Sequence, residues 1–487
     1  TSKSSDGHSL NLTFYSPTVN MQRDPRWGRN EEAFSEDVLL NSVMGSQFVL
    51  GMEGKDQNGE LLDEDGYYKT ITTIKHYTAN NSERNRLDGG ATMSLRALRE
   101  YFTAPYRNVI EATDVSSVMT AYSTLNGEPT SMSSYLMDTL LRQTWGFTGY
   151  VTSDCDSVST IARHNYTNPH TGETLTATEQ FSQAMAHGED LECSGGYNSG
   201  VGNYASNISD MVSAGVDTDK GTFTENQVDV SLHRLMTARM KTGEFDENVS
   251  YDMAADARKA QQQADAEGTG KDAYWQTDER IQAAEDMAEE AVVLLQNNGG
   301  LLPLDASVQS IAIVGSWQTD MYLGVYSAGQ NITENHVNIQ QGITDAMREV
   351  NPDIQFTYIN SNTLTAEDEQ AIRDADVAIV VTGTNSSYSA EDRDRTTITL
   401  PNNQADLISQ VGQLNDSTIA IMETCGPMEV ATFQDDVEAI LWSSFGGIRK
   451  GVGFGRVISG AVNPSGKVTA TWQQTANDKG PSDIPAI

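Results

Sequence analysis

Short apolar runs and longer amphipathic segments alternate along the first half of the chain. Two runs rich in β-branched residues, 70–76 and 117–122, are typical of buried strands. The segments 94–112 and 228–241 repeat apolar residues every three or four positions, which indicates helices. A rhythm of strand followed by helix predicts a parallel sheet, and the simplest such arrangement is a (β/α) barrel.

The second half of the chain shows the same rhythm. Apolar runs predict strands at 311–315, 354–359, 377–383, 418–424, 439–442 and 467–472. Amphipathic segments predict helices at 283–296, 342–350, 366–374 and 404–414. Strands and helices in this order are typical of a doubly wound α/β sheet.

Residues 247–282 separate these two parts and differ from both in composition. They are polar, carry few large apolar side chains and include three successive glutamines at 261–263. We therefore predict a barrel domain over 1–246, a polar linker or insertion over 247–282, and an α/β sandwich domain over 283–487.

The chain is acidic, with 68 Asp and Glu against 31 Lys and Arg and a formal net charge of −37. Such a surface repels polyanions, so we expect no nucleic acid partner and no binding to anionic membranes. No run of 18 apolar residues predicts a transmembrane helix, and the first residues lack the pattern of a signal peptide. The sequence leaves open the compartment and whether the chain forms a homodimer.

The three cysteines are Cys155, Cys193 and Cys425, too few and too scattered for a disulfide framework or a zinc site. We expect three buried thiols. A disulfide between Cys155 and Cys193 is the alternative.

The apolar pair Tyr150-Val151 predicts the end of a short buried strand, and the polar residues Ser153-Asp154-Cys155-Asp156 form its exit. Carboxylates placed there lie at the carboxyl mouth of a sheet or barrel, where α/β enzymes keep their chemistry. Asp154 is therefore the candidate nucleophile. The competing interpretation is that an Asp after a strand caps the next helix, and Asp156 is the better candidate for that role.

Other charged residues also follow strands. Lys75 and His76 end the run at 70–76, and the segment 23–29 carries three arginines that suit a polyhydroxyl ligand, although a salt-bridged surface loop explains them too. Glu391, on the polar loop after 377–383, is a candidate general acid, against the alternative of a solvated charge run. Retaining glycoside hydrolysis needs two carboxyl groups about 5–5.5 Å apart.

Seven segments, in this order, resemble those of glycoside hydrolase family 3, and within it the β-xylosidase-like branch. They are Arg23–Arg29, Lys75–Asn81, Val118–Gly127, Thr152–Asp156, Val292–Leu304, Asp394–Thr396 and Asn463–Gly466. Each segment is weak alone, but the ordered set is specific and covers nearly the whole chain. The resemblance implies a TIM-type (β/α)8 barrel followed by a doubly wound α/β sandwich. Family members usually carry a longer segment before residue 9, so we expect the first barrel strand to be missing.

The resemblance also implies roles for individual residues. Asp154 is expected to attack the anomeric carbon and form a covalent glycosyl-enzyme. Glu391, from the second domain, is expected to act as acid and then as base, with Asp392 and Asp394 as lesser candidates. The residues expected to contact the sugar at the cleavage site are Arg29, Lys75, His76 and Tyr122.

The implied activity is that of an exo-acting retaining β-glycosidase that releases xylose from the non-reducing ends of xylo-oligosaccharides. The order Ser153-Asp154-Cys155 resembles the xylosidase branch, and β-glucosidase and α-L-arabinofuranosidase activities are the alternatives. A hypothesis of another class is an inactive carbohydrate-binding fragment. No metal or organic cofactor is expected, because two carboxylates suffice for this chemistry.

Overall fold

The computed structural model describes residues 12–164, 166–168, 172–195, 200–246, 277–327 and 335–475. The chain forms two compact units. The first contains the described residues of Thr1–Arg23 and Glu32–Val249, and the second those of Asp24–Glu31 and Ser250–Ile484. Most of the predicted linker, 247–276, lies outside the described residues. The predicted domain boundaries stay a prediction.

The first unit contains nine described strands and six described α-helices. The strands are β1 (Thr13–Phe14), β2 (Ile71–Tyr77), β3 (Gly90–Ala91), β4 (Ser117–Thr120), β5 (Thr124–Leu125), β6 (Glu128–Pro129), β7 (Tyr150–Thr152), β8 (Asp217–Thr218) and β9 (Gly221–Thr222). The helices are α1 (Val38–Glu53), α2 (Leu95–Ala97), α3 (Ala104–Thr113), α4 (Ala177–Ala186), α5 (Tyr204–Ala214) and α6 (Glu225–Lys241).

The central sheet of the first unit has the order β1-β2-β4-β7, and every neighbouring pair is parallel. All seven residues of β2 are buried, as expected where a parallel sheet is covered on both faces. Apolar side chains from strands and helices share one core, including Ile74, Val118 and Val151 from the sheet. The carboxyl ends of β2, β4 and β7 therefore meet at one edge of this sheet.

The predicted helix at 94–112 is interrupted in the structure. Residues Leu98–Phe102 form a π-helical turn, in which the Thr103 N–H donates to Leu98 O at 2.9 Å. Pro105 follows in the first turn of α3 and has no N–H to continue the α-helical hydrogen bonds. The helix Tyr135–Thr144 is likewise π-helical. Helix α5 was not predicted from the sequence.

The second unit contains six strands and five α-helices among its described residues. The strands are β10 (Val293–Asn297), β11 (Ser310–Val314), β12 (Gln355–Ile359), β13 (Val377–Gly383), β14 (Thr418–Glu423) and β15 (Ala439–Ser443). The helices are α7 (Asp278–Glu290), α8 (Ile339–Val350), α9 (Ala366–Asp374), α10 (Gln404–Leu414) and α11 (Lys450–Ser459).

The strands of the second unit form one sheet in the order β10-β15-β14-β13-β11-β12. Only β10 runs antiparallel to its neighbour. Alternate residues of each strand enter two different cores: Ile379 and Val381 pack in the core that contains α8 and α11 residues, whereas Ala378 and Val380 pack with α10. Helices therefore cover both faces, as predicted for a doubly wound sheet.

Three details of the second unit differ from the prediction. The predicted helix 283–296 ends early, because Val293–Asn297 is the edge strand β10, and the predicted strand 467–472 is not a strand. Helix α11 was missed because it contains three glycines, which disfavour helices. A Cβ at Gly451 or Gly455 would overlap the backbone of the α8 region, so these glycines allow the two helices to pack closely.

No helix in the described part of the chain is both long and apolar enough to cross a membrane.

Candidate active site

Asp154 lies just after the carboxyl end of β7, and the residue is 7% exposed. Its backbone N–H donates to Thr120 O at 3.2 Å, which joins the exits of β7 and β4. The Cys155 N–H donates to Asp154 Oδ1 at 2.8 Å. The phenol of Tyr15 lies close by: its pKa is raised mainly by burial and further by the negative charge of Asp154.

His76, at the end of β2, faces the same carboxylate. Its Nε2 lies 3.6 Å from Asp154 Oδ2, and the side chain is 1% exposed. Asn20 Oδ1 lies 3.0 Å from His76 Nδ1 and accepts the His76 backbone N–H at 2.7 Å, while Asn20 Nδ2 donates to His76 O at 3.0 Å. An amide oxygen only accepts, so the proton lies on Nδ1 and Nε2 is the nitrogen that faces Asp154.

Lys75 is the second charged residue at the exit of β2 and is almost buried. Its Nζ lies 3.9 Å from Glu32 Oε2, and the Thr18 hydroxyl donates to the same oxygen at 3.3 Å. The Val19 N–H donates to Lys75 O at 2.9 Å. The segment that follows β1 therefore holds the exit of β2, and it supplies Asn20 as well.

Tyr122 follows β4 and is buried beside the nucleophile loop. Its hydroxyl donates to Cys155 O at 2.6 Å. The guanidinium of Arg86 lies 4.7 Å from the centre of its ring, and Arg86 Nη1 lies 3.1 Å from Glu83 Oε2. The three strand exits thus place His76, Tyr122 and Asp154 in one group.

Two expectations about the nucleophile loop are wrong. Cys155 and Cys193 form a disulfide rather than free thiols, and Cys425 alone is a buried free thiol. The pairing follows from the fold, because Asp156 N–H donates to Cys193 O at 2.7 Å and brings the two Cα atoms to 4.4 Å. Asp156 does not cap a helix: its Oδ1 accepts the Gly195 N–H at 2.8 Å.

Two buried glutamates lie behind this loop. Burial raises the pKa of Glu189 well above its ordinary value, although the Thr120 hydroxyl donates to it at 2.7 Å. Burial also raises the pKa of Glu192 to about 7, with a further contribution from the charge of Asp156. Glu192 Oε2 accepts the Tyr204 N–H at the start of α5 at 2.8 Å.

In the second unit, Glu391 lies at the tip of a tight turn. Ala390 and Arg393 exchange both backbone hydrogen bonds, at 3.1 and 3.0 Å, so Glu391 and Asp392 are the two turn residues. Asp392 has φ of 65°, a left-handed conformation that Asp tolerates better than most residues. The turn fixes the backbone of Glu391 and leaves its long side chain to be held by other segments.

Arg29 and Tyr326 hold the Glu391 side chain. Arg29 Nη1 lies 3.9 Å from Glu391 Oε1, and the Arg29 side chain is 2% exposed. The Tyr326 hydroxyl donates to Glu391 Oε2. The Arg29 guanidinium also lies 5.9 Å from the centre of the Tyr326 ring.

The segment 24–31 packs directly on the turn that carries Glu391. The Gly28 N–H donates to Asp394 Oδ1 at 2.8 Å, and the Arg395 N–H donates to Arg26 O at 2.8 Å. A Cβ at Gly28 would overlap the carbonyl groups of Ala390 and Arg393. Glycine is required there because the backbone of the turn occupies the space.

The relation to known proteins follows from two family models. Residues 7–238 match the model "Glycosyl hydrolase family 3 N terminal domain", and residues 292–485 match "Glycosyl hydrolase family 3 C-terminal domain". The chain belongs to glycoside hydrolase family 3. The resemblance drawn from the seven sequence segments is thereby confirmed.

Relatives with named activities align along almost the entire chain. "Beta-D-xylosidase 1" of Arabidopsis thaliana is 28% identical over 96% of this chain and 56% of its own length. "Beta-xylosidase/alpha-L-arabinofuranosidase 1" of Medicago sativa subsp. varia is 30% identical over 95% of this chain and 56% of its own length. The chain thus spans little more than half the length of these relatives.

Among solved structures of the family, the β-glucosidase from Listeria innocua in complex with isofagomine superposes with a TM-score of 0.77. It is 25% identical, and the match covers 95% of this chain and 60% of that one. The expected fold class, a TIM-type barrel followed by a doubly wound α/β sandwich, is confirmed.

Each of the two units therefore contains expected and unexpected residues. The structure groups Asp154, His76 and Tyr122 in the first unit, and Arg29 with Glu391 in the second. Sequence reasoning missed three supporting residues: Asn20, Glu32 and Tyr326. None of the three follows a strand directly, as Asp154 does; Asn20, for example, lies six positions after the end of β1. The catalytic and sugar-binding roles stay predictions.

Proposed function

We propose that this chain carries the activity of an exo-acting retaining β-glycosidase that releases xylose from the non-reducing ends of xylo-oligosaccharides. The observation that carries the proposal is the buried carboxylate of Asp154, which faces His76 at the carboxyl edge of a parallel sheet. Membership of glycoside hydrolase family 3 supports the interpretation of that carboxylate as part of a glycoside-hydrolysing site.

In the proposed mechanism, Asp154 is the nucleophile. Its Oδ1 accepts the Cys155 N–H and its Oδ2 faces His76 Nε2, which holds the carboxylate at the edge of the sheet. The new bond from the Asp154 carboxylate to the anomeric carbon forms as the bond to the leaving oxygen breaks, and the Glu391 carboxyl group gives its proton to that oxygen. Water then attacks the glycosyl-enzyme, its proton returns to Glu391, and Asp154 is released as carboxylate.

Glu391 is preferred over its two acidic neighbours as the acid and base. Asp394 Oδ1 already accepts the Gly28 N–H, which gives that carboxylate a structural task. Asp392 is exposed. Glu391 has a buried cation and a phenol hydroxyl directed at its carboxylate, which is the arrangement expected of a group that must be held in one orientation.

Xylose is the proposed sugar because two relatives that align with nearly the whole chain are named as β-xylosidases. α-L-Arabinofuranosidase activity is the second candidate, since the printed name of the Medicago relative includes it. β-Glucosidase activity is the third, supported by the Listeria structure. The substrate is in each case a glycoside or oligosaccharide.

The test uses the full chain with aryl β-xyloside, β-glucoside and α-L-arabinofuranoside. We expect the highest kcat/KM with the xyloside, and a loss of roughly 10⁴-fold or more in Asp154→Asn. Asp65→Asn, which changes an exposed aspartate of the same unit, is the matched control and should keep full activity. A 2-fluoro xyloside should label Asp154, as found by peptide mass spectrometry.

The outcomes separate the hypotheses. Label on a different residue would contradict Asp154 as nucleophile. If the parent chain and Asp154→Asn were equally inactive on all three glycosides while xylo-oligosaccharides still bound, the carbohydrate-binding hypothesis would replace the enzymatic one.

A further inference from the structure

The position of the Glu391 side chain depends on residues distant in the sequence. Its backbone lies in a two-residue turn, but its side chain has three rotatable bonds and is only partly buried. Arg29 lies 362 positions before Glu391 and Tyr326 lies 65 positions before it. The two residues meet different oxygens of the carboxylate, Arg29 near Oε1 and Tyr326 at Oε2.

Tyr326 has few features of a residue kept for packing. It is 62% exposed, so its ring adds little to the core of the second unit. Its hydroxyl nevertheless donates to Glu391, and its ring lies within 5.9 Å of the Arg29 guanidinium. An exposed aromatic residue that lies near a buried cation and donates to a carboxylate points to a role at that carboxylate.

We propose that Tyr326 is a positioning residue for Glu391: its hydroxyl holds Oε2 and thereby directs Oε1 to the proton transfer. This inference rests on the proposed function of Glu391 as acid and base. An O–H···O bond to an ionised carboxylate is among the stronger hydrogen bonds in proteins, so it suits the task of holding one rotamer. Arg29 Nη1 lies 3.9 Å from Oε1, so its positive charge also attracts the carboxylate.

The hydroxyl of Tyr326 serves both half-reactions. In the first, the proton on Oε1 passes to the leaving oxygen, and the resulting carboxylate accepts from Tyr326 at Oε2. In the second, Oε1 takes a proton from water while Tyr326 keeps the same oxygen in place. Tyr326 itself neither gains nor loses a proton, so it acts only through Glu391.

Tyr326→Phe removes this hydroxyl and keeps the ring. With aryl β-xylosides of graded leaving-group pKa, the variant should lose on the order of tenfold in kcat/KM for poor leaving groups. Its kcat/KM for 2,4-dinitrophenyl xyloside should stay almost unchanged, because dinitrophenolate leaves without a proton. Its kcat for the same substrate should fall, because deglycosylation needs the base, and added azide should restore kcat.

Tyr358→Phe is the matched control. It removes a phenol hydroxyl of the same unit that lies 3.0 Å from Thr344 Oγ1, and we expect unchanged kinetics with every leaving group. Thermal denaturation of both variants measures any loss of stability. The inference would be overturned if Tyr326→Phe lowered kcat/KM equally for all leaving groups, or did not lower it at all.

Glu391→Gln separates the inference from the function on which it rests. If Glu391→Gln shows a steep dependence on the leaving group and Tyr326→Phe shows none, the positioning role alone is wrong. If Glu391→Gln itself shows no dependence, Glu391 is not the acid, and both statements fail together.

Discussion

Gly28→Ala is the most direct test of how the second unit holds Glu391. A Cβ at this position would lie 2.1 Å from Arg393 O and 2.4 Å from Ala390 O, the two carbonyl groups that close the turn. To reach ordinary van der Waals contact, which begins at 3.4 Å, the Arg393 carbonyl would have to move by about 1.3 Å. Both neighbours are backbone atoms, so no side-chain rotation can relieve the overlap.

The expected effect is on catalysis more than on folding. A displacement of about 1 Å in a catalytic group costs on the order of 10²-fold in rate. We therefore expect Gly28→Ala to lower kcat/KM by roughly 10- to 100-fold for aryl xylosides with poor leaving groups. The overlap should lower the free energy of unfolding by about 1–3 kcal/mol, the usual range for an overpacked site.

Gly51→Ala is the matched control. Gly51 lies in α1, and a Cβ there has no neighbour within 4 Å. Alanine should raise stability by about 0.5–1 kcal/mol and leave the kinetics unchanged. Steady-state kinetics and thermal denaturation measure both effects. The reasoning would be refuted if Gly28→Ala kept full kcat/KM for poor leaving groups, or lost it equally for dinitrophenyl xyloside.

Three further changes have defined outcomes. Asn20→Ala removes the acceptor for His76 Nδ1–H and should lower kcat/KM on the order of tenfold, with partial recovery in Asn20→Asp. Burial raises the pKa of Glu192 to about 7, so the parent loses stability as Glu192 ionises between pH 4 and pH 8. Glu192→Gln cannot ionise; its free energy of unfolding should equal that of the parent near pH 4 and exceed it by up to about 3 kcal/mol at pH 8. Lys450→Met leaves the buried Glu423 without the cation 2.7 Å away and should lower the free energy of unfolding by about 3–5 kcal/mol, partly recovered by adding Glu423→Gln in urea titrations.

Several elements of the fold could be read from short stretches of sequence. The predicted bounds of α9, α10 and β13 agree with the structure at both ends. In each case the apolar pattern of the element and the residues that begin or end it lie within about a dozen positions, so neighbouring residues are enough to predict its bounds. Where the local signal was ambiguous, as for the apolar run of β10, the prediction was wrong.

The candidate nucleophile could also be predicted from its sequence neighbours alone. A short apolar strand that ends in Ser153 and Asp154 indicates a carboxylate at a sheet edge, without reference to any distant residue. Lys75 and His76 follow the same rule at the end of β2. Short stretches of sequence were therefore enough to identify the charged residues at the carboxyl ends of β2 and β7, and the structure has them there.

The partners of these residues could not be read from neighbouring positions, because they come together only in the folded chain. Asn20 and His76 are 56 positions apart, Cys155 and Cys193 are 38 apart, and Gly28 meets Asp394 across 366 positions. No periodicity links residues at such separations, because contacts of this kind arise when whole strands and helices pack. The orientation of His76, the disulfide and the support of Glu391 all depend on that packing.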